Sequence, residues 1–238
     1  MSTFLLVHGS WHGAWCWERV VPILEGRNHR VVSIDLPGHG NDRTPFYRIT
    51  LGRYAEAICR AASAQGERVL AVGHSMGGFA ISRAAASSPE LFSALVYLAA
   101  FVPAPGEWLI QLALRDRDSL LRRGTAFRPT HLHLRPAFAK DAFYADCSDA
   151  DVAWATSRLR PDPLLPLVQR YPAHPKLEMP RAFIECTFDK AISLSRQRAM
   201  YRRFPFDRVI SMDTGHSPFL SAPGQLAEHL ASLSELAA

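Results

Sequence analysis

The chain has 238 residues, of which 48% are hydrophobic and 21% charged. These proportions are ordinary for a globular protein and exclude a disordered chain, a collagen and a coiled coil. The 27 Lys and Arg residues exceed the 22 Asp and Glu residues, but they are dispersed, so no nucleic-acid partner is expected. The longest apolar run, residues 94–102, is about half of the ~20 residues that a membrane-spanning helix needs, so no membrane association is expected.

The four cysteines lie far apart and form no C-x-x-C pair. We interpret them as reduced thiols, which are typical of a cytoplasmic protein. They are Cys16, Cys59, Cys147 and Cys186. The amino end of the sequence lacks the cationic flank and the cleavage site of a secretory signal. The expected location is therefore the cytoplasm, and the sequence leaves a homodimer open.

Six short runs rich in Val, Ile, Leu and Phe recur along the chain without polar alternation. Such runs are typical of strands that are buried on both faces of a sheet. The runs are residues 3–7, 30–34, 69–72, 94–98, 182–186 and 208–211.

Helical patterns lie between these runs. One predicted helix has an apolar face that consists of Leu51, Tyr54, Ala55, Ile58 and Ala62. The last helix carries Leu226, Leu230 and Leu233 on one face and opens at Ser221 with Pro223 in its first turn. The alternation predicts an α/β fold, with an open, mostly parallel six-stranded sheet and helices on both faces. Ligands of such folds bind beyond the carboxyl ends of the strands.

One long segment, residues 103–180, breaks the alternation. It is rich in Pro, Arg and aromatic residues, and it contains helical fragments but no convincing buried strand. Its length far exceeds that of ordinary connections, which favours a functional lid over an irregular surface elaboration. We predict an inserted helical cap, residues 103–180, over an α/β core formed by residues 1–102 and 181–238.

The strongest motif is G-x-S-x-G at residues 73–77, between a predicted strand and an Ala-rich helical segment. In this context the serine occupies a strained turn and is exposed at the sheet edge as a nucleophile. A side chain at Gly73 or Gly77 would collide with the neighbouring backbone. We therefore predict that Ser75 is a catalytic nucleophile.

A serine nucleophile needs a base, and the base needs an orienting acid. His216 follows the last strand, where the third member of a Ser, Asp, His order belongs. Asp189 follows the preceding strand and is the predicted acid. Two alternatives stay open for the acid: Asp213, three residues before His216, and Glu185, within the strand.

An oxyanion hole needs two backbone N–H groups at the sheet edge, and Ser10 and Met76 are the predicted donors. His8 and His12 invite a metal interpretation, but no third ligand accompanies them, so neither a metal nor another cofactor is predicted. The pair His131 and His133 likewise does not predict a metal site. His39 is interpreted as part of a turn.

Seven segments carry a resemblance to a known family. They are LLVHGSWHGAWCW (5–17), VGHSMGG (72–78), LVYLAAFVP (95–103), FYADCSDAD (143–151), SRLRPDPL (157–164), CTFDKAIS (186–193) and DTGHSPFL (213–220). In these segments the chain resembles the α/β-hydrolases that include plant salicylate-binding methylesterases, polyneuridine aldehyde esterase, hydroxynitrile lyases and bacterial esterases. The resemblance spans nearly the whole chain. It implies the α/β-hydrolase fold and the same five site residues, Ser75, Asp189, His216, Ser10 and Met76.

The chain departs from the lyases of this family at three positions. These lyases have Thr, Glu and Lys where the chain has Gly9, His74 and Ser217. A nearby ammonium group stabilises the leaving cyanide, so its absence favours ester hydrolysis. Gly9 is also predicted to leave space for an acyl group.

The predicted function is hydrolysis of a small apolar or aromatic ester by a serine carboxylesterase of the methylesterase type. Aromatic residues of the cap and the sheet edge are candidate walls of the substrate pocket. They are Trp11, Trp108, Phe127, Phe138, Phe143 and Phe219. Two alternatives remain, a hydroxynitrile lyase-like C–C cleavage and a small-molecule binding protein with slow turnover.

Overall fold

The fold is described from a computed structural model that covers residues 1–174 and 177–237. Positions 175, 176 and 238, which the predicted cap and core include, lie outside the described residues. Within the described residues, no helix combines the length and the apolar character that crossing a membrane requires.

The described residues contain nine strands. They are β1 (Thr3–Val7), β2 (Arg30–Ile34), β3 (Val69–His74), β4 (Phe92–Leu98), β5 (Thr125–Phe127), β6 (His131–Leu134), β7 (Asp162–Pro163), β8 (Arg181–Cys186) and β9 (Arg208–Met212). Six of them form one sheet in the order β2-β1-β3-β4-β8-β9, and every neighbouring pair is parallel. The predicted six-stranded α/β sheet is confirmed.

The two edge strands differ from the prediction that every strand is buried on both faces. The central strands β1, β3, β4 and β8 are almost entirely buried, whereas residues of β9 are largely exposed and those of β2 are half-buried or exposed. In β9 the side chain of Val209 is 45% exposed. An edge strand has a neighbour on one side only, and its apolar sequence does not reveal this position.

The same residues contain eleven α-helices. They are α1 (Val21–Glu25), α2 (Leu51–Ser63), α3 (Met76–Ser87), α4 (Leu109–Leu114), α5 (Leu121–Gly124), α6 (Pro136–Phe143), α7 (Asp149–Thr156), α8 (Leu164–Val168), α9 (Leu194–Tyr201), α10 (Pro218–Ser221) and α11 (Pro223–Leu233). Short 3₁₀ helices are found at Ala14–Trp17, Phe46–Arg48, Pro89–Leu91 and Ser234–Ala237.

Helix α2 shows how the sequence pattern produces packing. Its five buried residues are the five of the predicted apolar face. The Thr50 side chain accepts a hydrogen bond from the backbone N–H of Arg53 at 3.1 Å, which caps the first turn. The last helix starts later than predicted, because Ser221 ends α10 and α11 begins at Pro223, a residue that suits the first helical position.

The segment between β4 and β8, called the cap below, is not purely helical as predicted. Besides α4 to α8 it holds a second sheet, in which β5, β6 and β7 pair antiparallel. These strands are two to four residues long, too short to show a period of two in the sequence. A fully buried contact joins this sheet to the core: His39 Nε2 donates to Asp162 Oδ1 at 2.7 Å.

Candidate active site

Ser75 lies in a strained turn between β3 and α3. Its backbone has φ 54° and ψ −119°, a conformation that side-chain-bearing residues rarely adopt. Its N–H donates to the carbonyl of Leu98 at 3.1 Å, which holds the turn against the end of β4. A Cβ added to Gly73 would lie 2.6 Å from the backbone of Gly77, and one added to Gly77 would lie 2.7 Å from the carbonyl oxygen of His8. Both glycines are therefore required for the turn to pack.

His216 and Asp189 form a buried pair at the same edge of the sheet. His216 Nδ1 lies 2.7 Å from Asp189 Oδ2. Because a carboxylate only accepts, Nδ1 carries the proton and Nε2 is left free to accept one. Asp189 Oδ1 accepts from the backbone N–H groups of Ala191 and Ile192 at 2.7 and 2.9 Å. Gln197 Nε2 donates to Oδ2 at 3.2 Å, so the carboxylate is held by four hydrogen bonds.

The two alternative acids have other partners. Asp213 is exposed and accepts from Thr187 Oγ1 at 2.9 Å. Glu185 accepts from Arg198 at 3.0 and 2.7 Å, and also from Tyr201 and Ser211. The geometry therefore pairs His216 with Asp189 and with neither alternative.

His74, which precedes Ser75, ties the turn to the His216 loop. Its Nε2 donates to the carbonyl oxygen of His216 at 2.9 Å, and the two rings lie 4.5 Å apart. Burial lowers the pKa of His74 well below its usual value, and the nearby His216 and His12 lower it further. The ring is therefore neutral, and its Nδ1 has no hydrogen-bond partner among the described residues. The sequence analysis assigned no role to His74 beyond its absence from the lyases, although it lies inside the G-x-S-x-G motif.

The loop after β1 carries Ser10, one of the predicted oxyanion donors. His12 Nδ1 donates to the carbonyl oxygen of Ser10 at 2.7 Å, and Tyr144 in the cap donates its hydroxyl to His12 Nε2 at 2.8 Å. These two hydrogen bonds connect the loop through His12 to the cap. The backbone N–H of Ser10 and that of Met76, the first residue of α3, have no acceptor within the described part of the chain. Both groups are thus available to an oxyanion.

The histidines that invited a metal interpretation bond to protein groups. His8 Nδ1 donates to the carbonyl of Gly9 at 2.8 Å, and its Nε2 accepts from the N–H of Leu36 at 3.1 Å. His12 has the two partners given above. Over residues 1–174 and 177–237, no group of three or more His, Cys, Asp and Glu side chains is arranged to hold a metal ion.

The buried histidines make the stability of the fold sensitive to acid. Burial lowers the pKa of His12 to about 3, while the unfolded chain titrates near its ordinary value of 6.5. Below about pH 6.5 the unfolded state therefore binds a proton at His12 that the folded state does not bind, and the free energy of unfolding falls as the pH is lowered. We expect His12→Asn to reduce the slope of the unfolding free energy against pH. The expected reduction corresponds to one proton fewer taken up on unfolding, or roughly 1.4 kcal/mol per pH unit, measured by urea unfolding between pH 6 and 4.5.

The control for this measurement is His133→Asn, since His133 is exposed. Its unfolding free energy should follow pH with the slope of the unaltered protein. Equal slopes for His12→Asn and the unaltered chain would show that His12 titrates normally in the folded state.

The cap also contacts the His216 loop. Asp146 Oδ2 accepts from the backbone N–H of Gly215 at 2.7 Å. A Cβ on Gly215 would lie 2.6 Å from Asp146 Oδ1, so a larger residue here would force the Asp146 side chain to move and disturb this bond. Asp146 belongs to one of the seven resembling segments, but no local pattern in the sequence marked it as a partner of the loop.

A cavity opens beside Ser75, between the sheet edge and the cap. The cavity has a volume of about 80 Å³, which is room for a small ligand. Ser10, Trp11 and Phe127 contribute to its wall. The rest of the wall is mostly aliphatic side chains of the cap, with Arg122, and the irregular cap sequence gave no sign of which residues these would be.

Four predicted wall residues lie elsewhere. Phe143 stacks on His216 with ring centroids 5.4 Å apart, and Phe219 packs edge-on against His74 at 5.1 Å. Both rings therefore pack against the histidines and do not line the cavity. The Trp108 ring lies under the guanidinium of Arg170, and Phe138 packs against Gly124. An aromatic residue can fill a core or a cavity wall equally well, and the sequence does not distinguish these positions.

Gly9 lies beside the predicted nucleophile, but it leaves no free space for an acyl group. A Cβ there would lie 2.8 Å from Ser75 Cβ and 2.9 Å from His74 Nδ1. The glycine is needed because the loop and the turn approach each other closely, which corrects the reason that the sequence analysis assigned to it.

Comparison with known proteins places the chain among relatives of the same architecture. The model of the alpha/beta hydrolase family matches residues 4–229. Methylesterase 1 of Arabidopsis thaliana is 33% identical over an alignment of 252 positions, gaps included, which covers 98% of this chain and 95% of that protein. A pyrethroid hydrolase from Sphingobium faniae superposes with a TM-score of 0.89 at 26% identity, covering 98% and 97% of the two chains. Polyneuridine aldehyde esterase superposes with a TM-score of 0.86 at 25% identity, covering 98% and 99%. The chain therefore belongs to the alpha/beta hydrolase family and is a hydrolase, related to the plant methylesterases.

Proposed function

We propose that the protein is a serine carboxylesterase that hydrolyses small apolar or aromatic esters through an acyl-enzyme. The observation that carries this proposal is the buried bond between His216 Nδ1 and Asp189 Oδ2 at the sheet edge where Ser75 occupies its strained turn. The names of the relatives, two esterases and a pyrethroid hydrolase, support the same class of reaction.

The proposed reaction has two steps. His216 Nε2 takes the proton of the Ser75 hydroxyl, and the oxygen attacks the ester carbonyl. The N–H groups of Ser10 and Met76 stabilise the oxyanion of the tetrahedral intermediate. The alcohol leaves with the proton from His216, and water then attacks the acyl-enzyme by the same route and releases the acid. The hydrogen bond that Nδ1 donates to Asp189 keeps the ring in the required tautomer and stabilises the imidazolium.

Steady-state hydrolysis of a panel of methyl and 4-nitrophenyl esters tests the proposal. Repeated, fast turnover supports the esterase. A single acylation without release of the acid identifies the slow-turnover binding protein instead. The small cavity with its apolar wall supports short or aromatic acyl groups over long chains.

Cyanide release from mandelonitrile tests the lyase-like alternative, and we expect none above background. The lyases carry a threonine at position 9, and here any side chain at this position would collide with His74 and Ser75. The chain also places Ser217, not a lysine, beside His216. Both features support ester hydrolysis.

His74 is expected to act as a positioning residue for the base. In His74→Leu the carbonyl of His216 loses its donor, and an unsatisfied buried group costs about 1–3 kcal/mol. We expect kcat to fall by about tenfold or more, because the His216 loop is less well held. His74→Gln keeps an N–H donor and should recover most of this loss. Equal kcat for His74→Leu and the unaltered enzyme would remove the positioning role.

A further inference from the structure

The wall of the cavity beside Ser75 contains a single formal charge. Among the described residues that form the wall, Arg122 of α5 is charged, and all others are apolar or carry a hydroxyl group. A few fixed polar groups in an otherwise apolar site determine which ligands are accepted and in which orientation. A guanidinium in this position therefore bears on which esters the cavity takes.

Arg122 is not engaged by the protein. Neighbouring arginines of the cap and core pair with acids: Arg115 and Arg203 contact Glu107 at 3.2 and 2.7 Å. Within the described ranges, the side chain of Arg122 has neither an ion pair nor a hydrogen bond. Arg122 is exposed and forms part of the cavity wall, so the five N–H donors of its guanidinium are available to a ligand.

The surface next to this opening adds positive charge. A shallow depression shares Ser119 and Arg122 with the cavity, and Arg117, Asp118 and Arg123 also line it. The nearby Asp116 is buried and accepts from the N–H and the hydroxyl of Ser193, both at 2.8 Å. The depression is lined by three exposed arginines and one exposed aspartate, so positive charge stays in excess at the opening even when Asp116 is counted, and the local potential attracts anions.

We propose that Arg122 makes the enzyme selective for esters that carry a second, ionised carboxylate: half-esters of small dicarboxylic acids. This inference rests on the proposed ester hydrolysis at Ser75. The ester enters the apolar part of the cavity, and the remote carboxylate stays at the opening, on the guanidinium. The planar guanidinium matches a carboxylate with two parallel hydrogen bonds, a geometry that a neutral ester group does not offer.

The first test compares two chromogenic esters of the same shape. Both 4-nitrophenyl hydrogen glutarate and 4-nitrophenyl methyl glutarate release 4-nitrophenolate, and they differ in the charge of the far end. We expect kcat/KM to favour the anionic ester by about fivefold, the factor expected of one exposed charge pair. Arg122→Gln should bring the ratio close to one, and added salt should reduce it in the unaltered enzyme. The matched control is Arg135→Gln, which removes an exposed arginine of the cap that borders neither the cavity nor the depression.

The second test measures binding, so that it does not depend on turnover. Calorimetry on the Ser75→Ala protein compares monomethyl glutarate with dimethyl glutarate, and we expect the monoanion to bind about fivefold more tightly only while Arg122 is present. Equal affinities, a preference that survives Arg122→Gln, or equal kcat/KM for the two chromogenic esters would overturn the proposal. Failure to turn over either ester would instead count against the proposed hydrolysis, and the calorimetric comparison would still decide the anion preference.

Discussion

Replacement of Ser75 with alanine is expected to lower kcat/KM for ester hydrolysis by about four to six orders of magnitude. The hydroxyl oxygen is the atom that would become acylated, and among the described residues of the cavity wall Ser75 alone combines a hydroxyl group with a strained, positive-φ backbone. Removal of this oxygen leaves only the oxyanion donors and substrate positioning. Initial rates with a 4-nitrophenyl ester measure the loss, and the acyl-enzyme should disappear from the mass spectrum of the quenched protein.

The matched control for this variant is Ser87→Ala. Ser87 is at the exposed carboxyl end of the same helix, α3, where its hydroxyl bonds to the backbone of Arg83. Its loss should leave the rate within about twofold, as is usual for a surface substitution. If Ser75→Ala turned over ester at a rate comparable with that of Ser87→Ala, the nucleophile would lie elsewhere and the proposed function would lose its central residue.

Replacement of Asp189 with asparagine is expected to lower kcat by about three to four orders of magnitude. An asparagine that turns its N–H₂ group toward His216 would favour the tautomer with the proton on Nε2, which cannot accept the serine proton. Of the four hydrogen bonds to the carboxylate, three come from Ala191, Ile192 and Gln197, so the side chain is held in place independently of the histidine. KM should change much less than kcat, because the carboxylate is absent from the wall of the cavity.

Asp213→Asn is the control that separates the two candidate acids. Asp213 is three residues from His216 in the sequence, but it is exposed and bonded to Thr187. We expect its rate to stay within a few-fold of the unaltered enzyme. A larger loss in Asp213→Asn than in Asp189→Asn would reverse the assignment of the acid.

The parallel sheet and the elements that carry the site residues could be predicted from local features of the sequence. The apolar runs of the central strands, the face of α2 and the glycines around Ser75 follow from local requirements: burial on both sides, a helical period and a turn that admits no side chain. Chain order then placed the predicted base after the last strand and the predicted acid after the one before it. The number and direction of the strands of the main sheet could be predicted for the same reason.

Which residues come together around the site depends on the packing of distant parts of the chain. That His216 bonds to Asp189 and not to the nearer Asp213, and that His74 holds the carbonyl of His216, depends on how distant loops pack. The cap strands, the choice of cavity walls and the position of Arg122 at the opening are also invisible in the sequence. Periodicity records whether a residue is buried along its own element, whereas a contact between residues on different loops, 27 positions apart for Asp189 and His216 and 142 for His74 and His216, depends on the arrangement of the elements between them.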